Sequence, residues 1–173
     1  HLELCGIALK KQQARTAPLY APAGLLPSYR RFDSRKDFLM SYTKLDLLQD
    51  LADMGLTGQE TILIHSSMKS IGPVDGGADT VLDALMEFFR PGLLLLPTHT
   101  WRTINAANPV FDVCTSPCCV GILPELLRQR PGVVRSLHPT HSMAGYGQQA
   151  VSYLAGEELR NTPCTPGGCY DRL

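Results

Sequence analysis

Residues 61–89 read TILIHSSMKSIGPVDGGADTVLDALMEFF. The stretch opens with a short β-branched and apolar run, TILIH, which predicts a buried strand. A polar loop rich in glycine follows, SSMKSIGPVDGG. Then Val81, Leu82, Leu85, Phe88 and Phe89 fall at helical spacing, with Asp79 near the start where the helix dipole favours an acid. Three residues on, GLLLLP (92–97) reads as a second buried strand, closed by Pro97. Strand, helix, strand over so short a span predicts an α/β fold with a sheet that is at least partly parallel.

The pattern extends both ways from this unit. Upstream, TKLDLLQDLADMGL places Leu47, Leu48, Leu51 and Met54 on one helical stripe, Thr43 and Asp46 can form a capping box, and Gly55 or Gly58 ends the helix. Downstream, THTWRTINAANPVFDV (98–113) reads as a long loop and GILPELLRQRPG (121–132) as a helix broken by Pro131. VVRSLH (133–138) predicts a third strand, HSMAGYG (141–147) a fourth and QQAVSYLAGEEL (148–159) a further helix. The fold class expected is α/β, three-layer-like, with helices flanking one sheet. No internal repeat is present.

Residues 1–41 lack any clear period, and they read as an irregular or disordered basic extension. Residues 1–44 carry eight Lys or Arg and three acids. Because basic and acidic residues balance over the whole chain, the remainder is net acidic by five. A global field that would draw nucleic acid or a membrane surface is absent. No apolar run nears the roughly 20 residues that span a bilayer, and six cysteines in so patterned a chain read as reduced thiols. The expected location is the cytoplasm. The last residues, TPCTPGGCYDRL, look like a turn leading into more structure. A chain cut short at its C-terminus is the expectation.

Several motifs carry chemistry. The strand delivers His65, Ser66 and Ser67 to its carboxyl end, and the glycine loop leads into a helix N-terminus. Ligands of α/β sheets bind outside the carboxyl ends of strands, and helix N-termini suit phosphate. Neither a Walker motif nor GxGxxG is present, and an ordinary strand–turn–helix explains the same residues. PTHTW (97–101) and RSLHPTHS (135–142) each follow or close a strand, so His99, Trp101, His138 and His141 can converge above the sheet. The spacings of Cys114, Cys118, Cys119, Cys164 and Cys169 match no strong zinc pattern. A serine hydrolase built on Ser66 or Ser67 would lack the G-x-S-x-G elbow. Asn105, Asn108 and Asp112 suit a hydroxyl-rich or amine-bearing ligand, and they suit plain turns equally well.

Taken together, LIHSSMKSIGPVDGGADTVLDAL, LLLPTHTW, NPVFDV, VGILPELLRQRPGVVRSLHPTHSMAGYG and NTPCTPGGC resemble, in this order, the aminoglycoside 3-N-acetyltransferase family, from Thr43 to Leu173. The resemblance implies a family-specific α/β fold distinct from the GNAT acetyltransferases. It makes residues 42–173 the N-terminal part of an acetyltransferase domain. It further implies acetyl transfer from acetyl-CoA to the 3-amine of a 2-deoxystreptamine antibiotic, an antibiotic-resistance activity, with no metal. The coenzyme would lie along His65, Ser66, Ser67, Ser70, Gly72, Gly76 and Gly77, and along Arg135, Ser136, His138, Pro139, Thr140 and His141. Trp101, Asn105, Asn108 and Asp112 would face the sugar. Nucleic acid and membranes are not expected partners.

The physics of the reaction fits this assignment. The phosphates of CoA need donors and positive charge, which Arg135 and the histidines offer. A polycationic sugar favours an acidic cleft, and a thioester is attacked by a neutral amine, so a general base is required. In the family the catalytic histidine sits in an Asn-Thr-x-x-His segment. Here Asn161-Thr162 is followed by Pro163 and Cys164, so that histidine is expected beyond Leu173. An inactive coenzyme-binding fragment, or an acetyltransferase of another amine, remains as the alternative.

Overall fold

In a computed structural model of the chain, the residues described are 2–4, 7–11 and 41–173. Strand β1 is Leu2–Leu4 and β2 Ile7–Lys11; helix α1 is Lys44–Asp53, β3 Thr61–Ser66, α2 Met68–Ile71 and α3 Gly77–Phe88. β4 follows at Leu93–Pro97, α4 at Ile122–Leu127, β5 at Val134–Arg135, β6 at Met143–Gly147 and α5 at Ala150–Leu154. A 3-10 turn, Glu157–Leu159, precedes the terminal segment.

The strands form one sheet in the order β1-β2-β3-β4-β6-β5. β3 and β4 are parallel, with Thr61 opposite Leu93, as the strand–helix–strand reading predicts. β6 runs antiparallel to β4, pairing Leu95 with Gly145, and β5 runs antiparallel to β6.

Both faces of the sheet are covered. On one face Ile62, Ile64, Leu94, Leu96 and Ala144 pack against Leu47 and Leu51 of α1, Val81, Leu82 and Leu85 of α3, and Leu123 and Leu127 of α4. On the other, Leu63, Leu93, Leu95 and Met143 meet Ala150 and Leu154 of α5 and Cys169 of the terminal segment. This explains why β3 and β4 read as continuous apolar runs rather than alternation: neither face sees water. The layers are helix, sheet and helix.

Local rules account for α1. Thr43 Oγ1 accepts from the Asp46 N–H while Asp46 accepts from the Thr43 N–H, the capping box anticipated from sequence. Gly55 ends the helix at φ 76°, a left-handed position that costs a glycine nothing. On the opposite face α5 lies close to the sheet because Gly145 has no side chain. A Cβ there would stand 2.9 Å from Leu154 Cδ1 and 3.1 Å from Leu95 Cδ2.

Several elements depart from the sequence reading. The polar stretch after β3, expected as a loop, contains the one-turn helix α2, Met68–Ile71. Residues 2–4 and 7–11 are strands, not irregular chain: they pair with each other, and β2 pairs with β3, covering an edge that would otherwise expose unpaired N–H and C=O groups. Residues 12–40, the rest of that expected extension, lie outside the described residues. The helix expected over 121–132 closes after Leu127, since its last turns carry Gln, Arg and a proline rather than apolar anchors. The third strand shrinks to Val134–Arg135, because Ser136 begins the turn back to Met143. The helix expected over 148–159 breaks at Gly156, φ 80°.

Candidate active site at the strand ends

The topology brings the chemistry to one edge. Parallel β3 and β4 end side by side, delivering His65 and Ser66 from one and His99 from just beyond the other. Antiparallel β6 begins at the same edge, so His138 and His141 in the preceding turn arrive there as well. The His99 and His141 rings lie 4.7 Å apart by centroid, and those of His138 and His141 5.7 Å apart. The convergence of histidines expected from sequence is present. Trp101 is half exposed, with the Arg102 guanidinium 5.6 Å above its ring.

A cleft of about 160 Å3 opens at this edge, lined by Ile64, His65, Ser66, Pro97, His99, Val120 and Pro124. The Ser66 Oγ is buried and has no hydrogen-bond partner among the described residues. His99 Nε2 lies 2.6 Å from the Tyr170 hydroxyl. Burial, and then the neighbouring His141, His65 and His138, lower the His99 pKa to about 4, so this ring is neutral at ordinary pH. Burial likewise lowers the pKa of His138 and of His141. His138 is almost fully buried, and its Nδ1 accepts from the N–H groups of Thr140 and His141 at 3.3 and 3.0 Å. An accepting Nδ1 places the proton of the neutral ring on Nε2, which has no partner among the described residues.

The glycine loop folds tightly beside the cleft. Ser67 is the N-cap of α2 and Ser70 lies on its exposed side. Gly72, Gly76 and Gly77 take φ of 96°, 76° and 64°. Gly76 precedes α3, whose N-terminus receives no side-chain cap.

The RSLHPTHS turn is held from within. The Arg135 guanidinium is buried, and Nε donates to Thr98 Oγ1 and Ser142 Oγ, Nη1 to the Val113 and Ser116 carbonyls, and Nη2 to the Thr98 carbonyl. Its charge also sits 5.0 Å from the Phe111 ring. Burial lowers its pKa to about 10, which leaves it cationic at neutral pH. Every nitrogen of the group is thus engaged by the protein. Ser136 Oγ accepts from the Met143 N–H. The Thr100 hydroxyl donates to the Pro139 carbonyl, and Thr140 Oγ1 lies 2.9 Å from His141 Nδ1.

Loop 98–121 is also organised internally. Asn105 Oδ1 accepts from the Ala107 and Asn108 N–H groups, and Asn108 Nδ2 donates to the Thr103 carbonyl. Asp112 Oδ1 accepts from the Cys114 and Thr115 N–H groups at 2.8 and 2.7 Å. The Thr115 backbone bond is the main reason its pKa lies below the ordinary carboxylate range. These three residues build turns. Cys119 N–H donates to the His99 carbonyl at 2.8 Å, which brings Val120 to the cleft wall.

Sequence reasoning did not find Val120, Pro124 or Tyr170, which reach the site only through tertiary packing. Among the described residues no three His, Cys, Asp or Glu side chains are arranged to hold a metal ion. The described cysteines, at 114, 118, 119, 164 and 169, are free thiols. No helix among the described residues is long and apolar enough to cross a membrane.

A family model described as aminoglycoside 3-N-acetyltransferase matches residues 63–173, most of the chain. The chain belongs to this family. It is 32% identical over 135 residues to aminoglycoside N(3)-acetyltransferase III of Salmonella sp, covering 68% of this chain and 47% of that protein. Among solved structures, aminoglycoside acetyltransferase AAC(3)-Xa superposes with a TM-score of 0.67 at 33% identity, over 77% of this chain and 53% of the other. The binary complex of AAC-IIIb with CoASH superposes with a TM-score of 0.59 at 27% identity, over 68% and 50%. The chain spans about half the length of the curated relatives it matches.

Proposed function

We propose that this chain forms the coenzyme-binding part of an acetyl-CoA-dependent N-acetyltransferase that modifies the 3-amine of 2-deoxystreptamine aminoglycosides and so confers resistance to them. Residues 42–173 are then the N-terminal part of the acetyltransferase domain. The observation that carries the reading is the cleft at the carboxyl ends of β3 and β4, with a buried, unpartnered Ser66 hydroxyl and the neutral His99 in its wall. It lies in the fold of a family one of whose structures is a complex with CoASH.

The chemistry follows from the groups present. The uncapped N-terminus of α3, entered through Gly76, offers backbone N–H groups and partial positive charge to a phosphate. The buried donors of the cleft suit the uncharged, carbonyl-bearing arm of the coenzyme. Arg135 contributes by fixing the RSLHPTHS wall, since its own donors are engaged. The exposed Trp101 face and the acidic excess of the region beyond residue 44 suit a polycationic sugar. Acetyl-CoA is a cytoplasmic metabolite, so the cytoplasm is the proposed location. A histidine held near pKa 4 is a poor base toward an ammonium group. The general base therefore belongs to a residue other than His99.

That same property favours a second reading, coenzyme binding without turnover. Thiol release from acetyl-CoA across a panel of 2-deoxystreptamine aminoglycosides, with calorimetric titration of acetyl-CoA alongside, separates the two. Release that requires the antibiotic supports the transferase. Binding without release supports the second reading. No binding by a folded chain removes both.

A further inference from the structure

The geometry points to His99 as a neutral N–H donor that, with the Ser66 hydroxyl, grips the carbonyl oxygen of the acyl thioester, and to Tyr170 as the positioning residue that fixes its tautomer. The inference rests on the reading of the cleft as the acetyl-CoA site and assigns it one specific pair of contacts.

The Tyr170 hydroxyl has one hydrogen-bond partner among the described residues, His99 Nε2, at 2.6 Å. Burial raises the phenol pKa above its ordinary value, so the group keeps its proton at any physiological pH. A buried O–H left without an acceptor is costly, and the acceptor in reach is Nε2. A neutral imidazole has one donor and one acceptor nitrogen. With Nε2 accepting, the proton of His99 sits on Nδ1. That nitrogen has no hydrogen-bond partner among the described residues, and His99 lines the cleft.

Ser66 supplies the companion. Its Oγ is buried, unpartnered among the described residues, and in the wall of the same cleft. Two neutral donors on one small, largely apolar cavity match the two lone pairs of a carbonyl oxygen. Ile64, Pro97, Val120 and Pro124 give the cleft its apolar wall beside these donors. Donors of this kind, fixed before the reaction, stabilise the negative charge that develops on a thioester oxygen under attack by an amine. The charge on that oxygen is met without any proton leaving His99; as the C–N bond forms the amine proton goes to a separate base, and collapse of the intermediate breaks the C–S bond and releases the CoA thiolate.

Two measurements on the full chain test the assignment. The first uses chain labelled with nitrogen-15 histidine and long-range proton–nitrogen spectra, which separate protonated from unprotonated ring nitrogens. His99 is expected with Nδ1 protonated, and Tyr170→Phe is expected to relax it to a mixture. Protonation at Nε2 in the unaltered chain overturns the role of Tyr170. The second follows the carbonyl stretch of acetyl-CoA labelled with carbon-13 in the acetyl carbonyl. The band is expected to move to lower wavenumber on binding, to return most of the way in His99→Phe, and to stay shifted in His99→Asn, whose amide nitrogen overlays Nδ1. Should His99→Phe fail to fold, Tyr170→Phe carries this arm through a reduced shift. Binding with a shift indifferent to His99→Phe, or to Tyr170→Phe in its place, overturns the donor assignment alone. Failure of acetyl-CoA to bind the folded, unaltered chain overturns the coenzyme reading itself.

Discussion

Arg135 Nη1 donates to the Ser116 carbonyl at 2.6 Å, joining β5 to the far end of the loop that leaves β4. The same guanidinium reaches Val113 and Thr98, so one side chain ties 98–116 to the sheet edge on which the cleft is built. A cation buried this well is held by carbonyl and hydroxyl oxygens rather than by a carboxylate. The fork geometry of arginine makes that possible, because its nitrogens diverge in one plane toward several acceptors.

Replacing Arg135 by Met therefore removes five donor contacts and leaves buried carbonyls unsatisfied. The expected loss is about 2–4 kcal/mol in urea unfolding, given about 1–3 kcal/mol per orphaned group and partial relaxation. Arg135→Lys is expected to recover only a minor part, since an ammonium cannot span both Thr98 and Ser116. A midpoint unchanged in Arg135→Met would remove the clamp from the account.

Packing at Gly145 yields a second expectation. Gly145→Val forces side-chain atoms into Leu154 and Leu95, which already stand within 2.9 and 3.1 Å of where a Cβ would lie. Overpacking of this kind typically costs about 1–3 kcal/mol. Leu154→Ala opens the space, so the double variant should be less destabilised than the sum of the two singles. Strict additivity in that cycle would show that the two sites do not touch.

The two parallel strands were legible as unbroken apolar runs, and the long helix α3 between them by its single helical period. The capping box at Thr43 and Asp46 was legible as a rule confined to four residues. The β1–β2 hairpin was not, since what makes it a hairpin is the free edge of β3, a feature of the assembled sheet. At the site, His65, Ser66, His99, His138 and His141 could be placed from strand-end logic. Tyr170 could not: it reaches His99 across 71 residues of sequence. Asn105, Asn108 and Asp112 carried two readings, ligand contacts or turns, and their side chains bond within their own loop: Asn105 and Asp112 accept from backbone N–H groups, and Asn108 donates to the Thr103 carbonyl. Arg135 shows the same limit, because a lone arginine beside histidines looks like an anion ligand until its acceptors are seen.

The capping box also makes a quantitative statement. Thr43→Ala deletes the acceptor for the Asp46 N–H and one donor to its carboxylate. The expected cost is about 1 kcal/mol, and Thr43→Ser should restore most of it. A helix that keeps full stability in Thr43→Ala would mean that packing of Leu47 and Leu51 alone holds α1.

The histidine cluster sets the acid limb of stability. Burial lowers the pKa of His99, His138 and His141 in the fold; His99 falls to about 4, against an unfolded value of 6.5. A depressed pKa means that the fold holds the neutral ring while the unfolded chain takes up the proton first. The stabilising difference is therefore whole above pH 6.5 and is lost as pH falls from there toward 4. Each ring contributes a slope of at most about 1.4 kcal/mol per pH unit while its two states differ by a full proton. Near His138 the carboxylate of Glu157 opposes the shift, so this ring should weaken the trend least for its burial. The carboxylate of Asp112, lowered by the Thr115 and Cys114 N–H groups, acts in the same direction but at lower pH, below the ordinary aspartate range. Denaturant midpoints measured from pH 8 to pH 4 are expected to stay level down to about 6.5 and then fall. His99→Asn is expected to flatten part of that fall by removing a titrating ring while keeping an N–H in its place. A profile that rises between pH 6.5 and 4 would place protonated rings in the fold and reverse the electrostatics of the cleft.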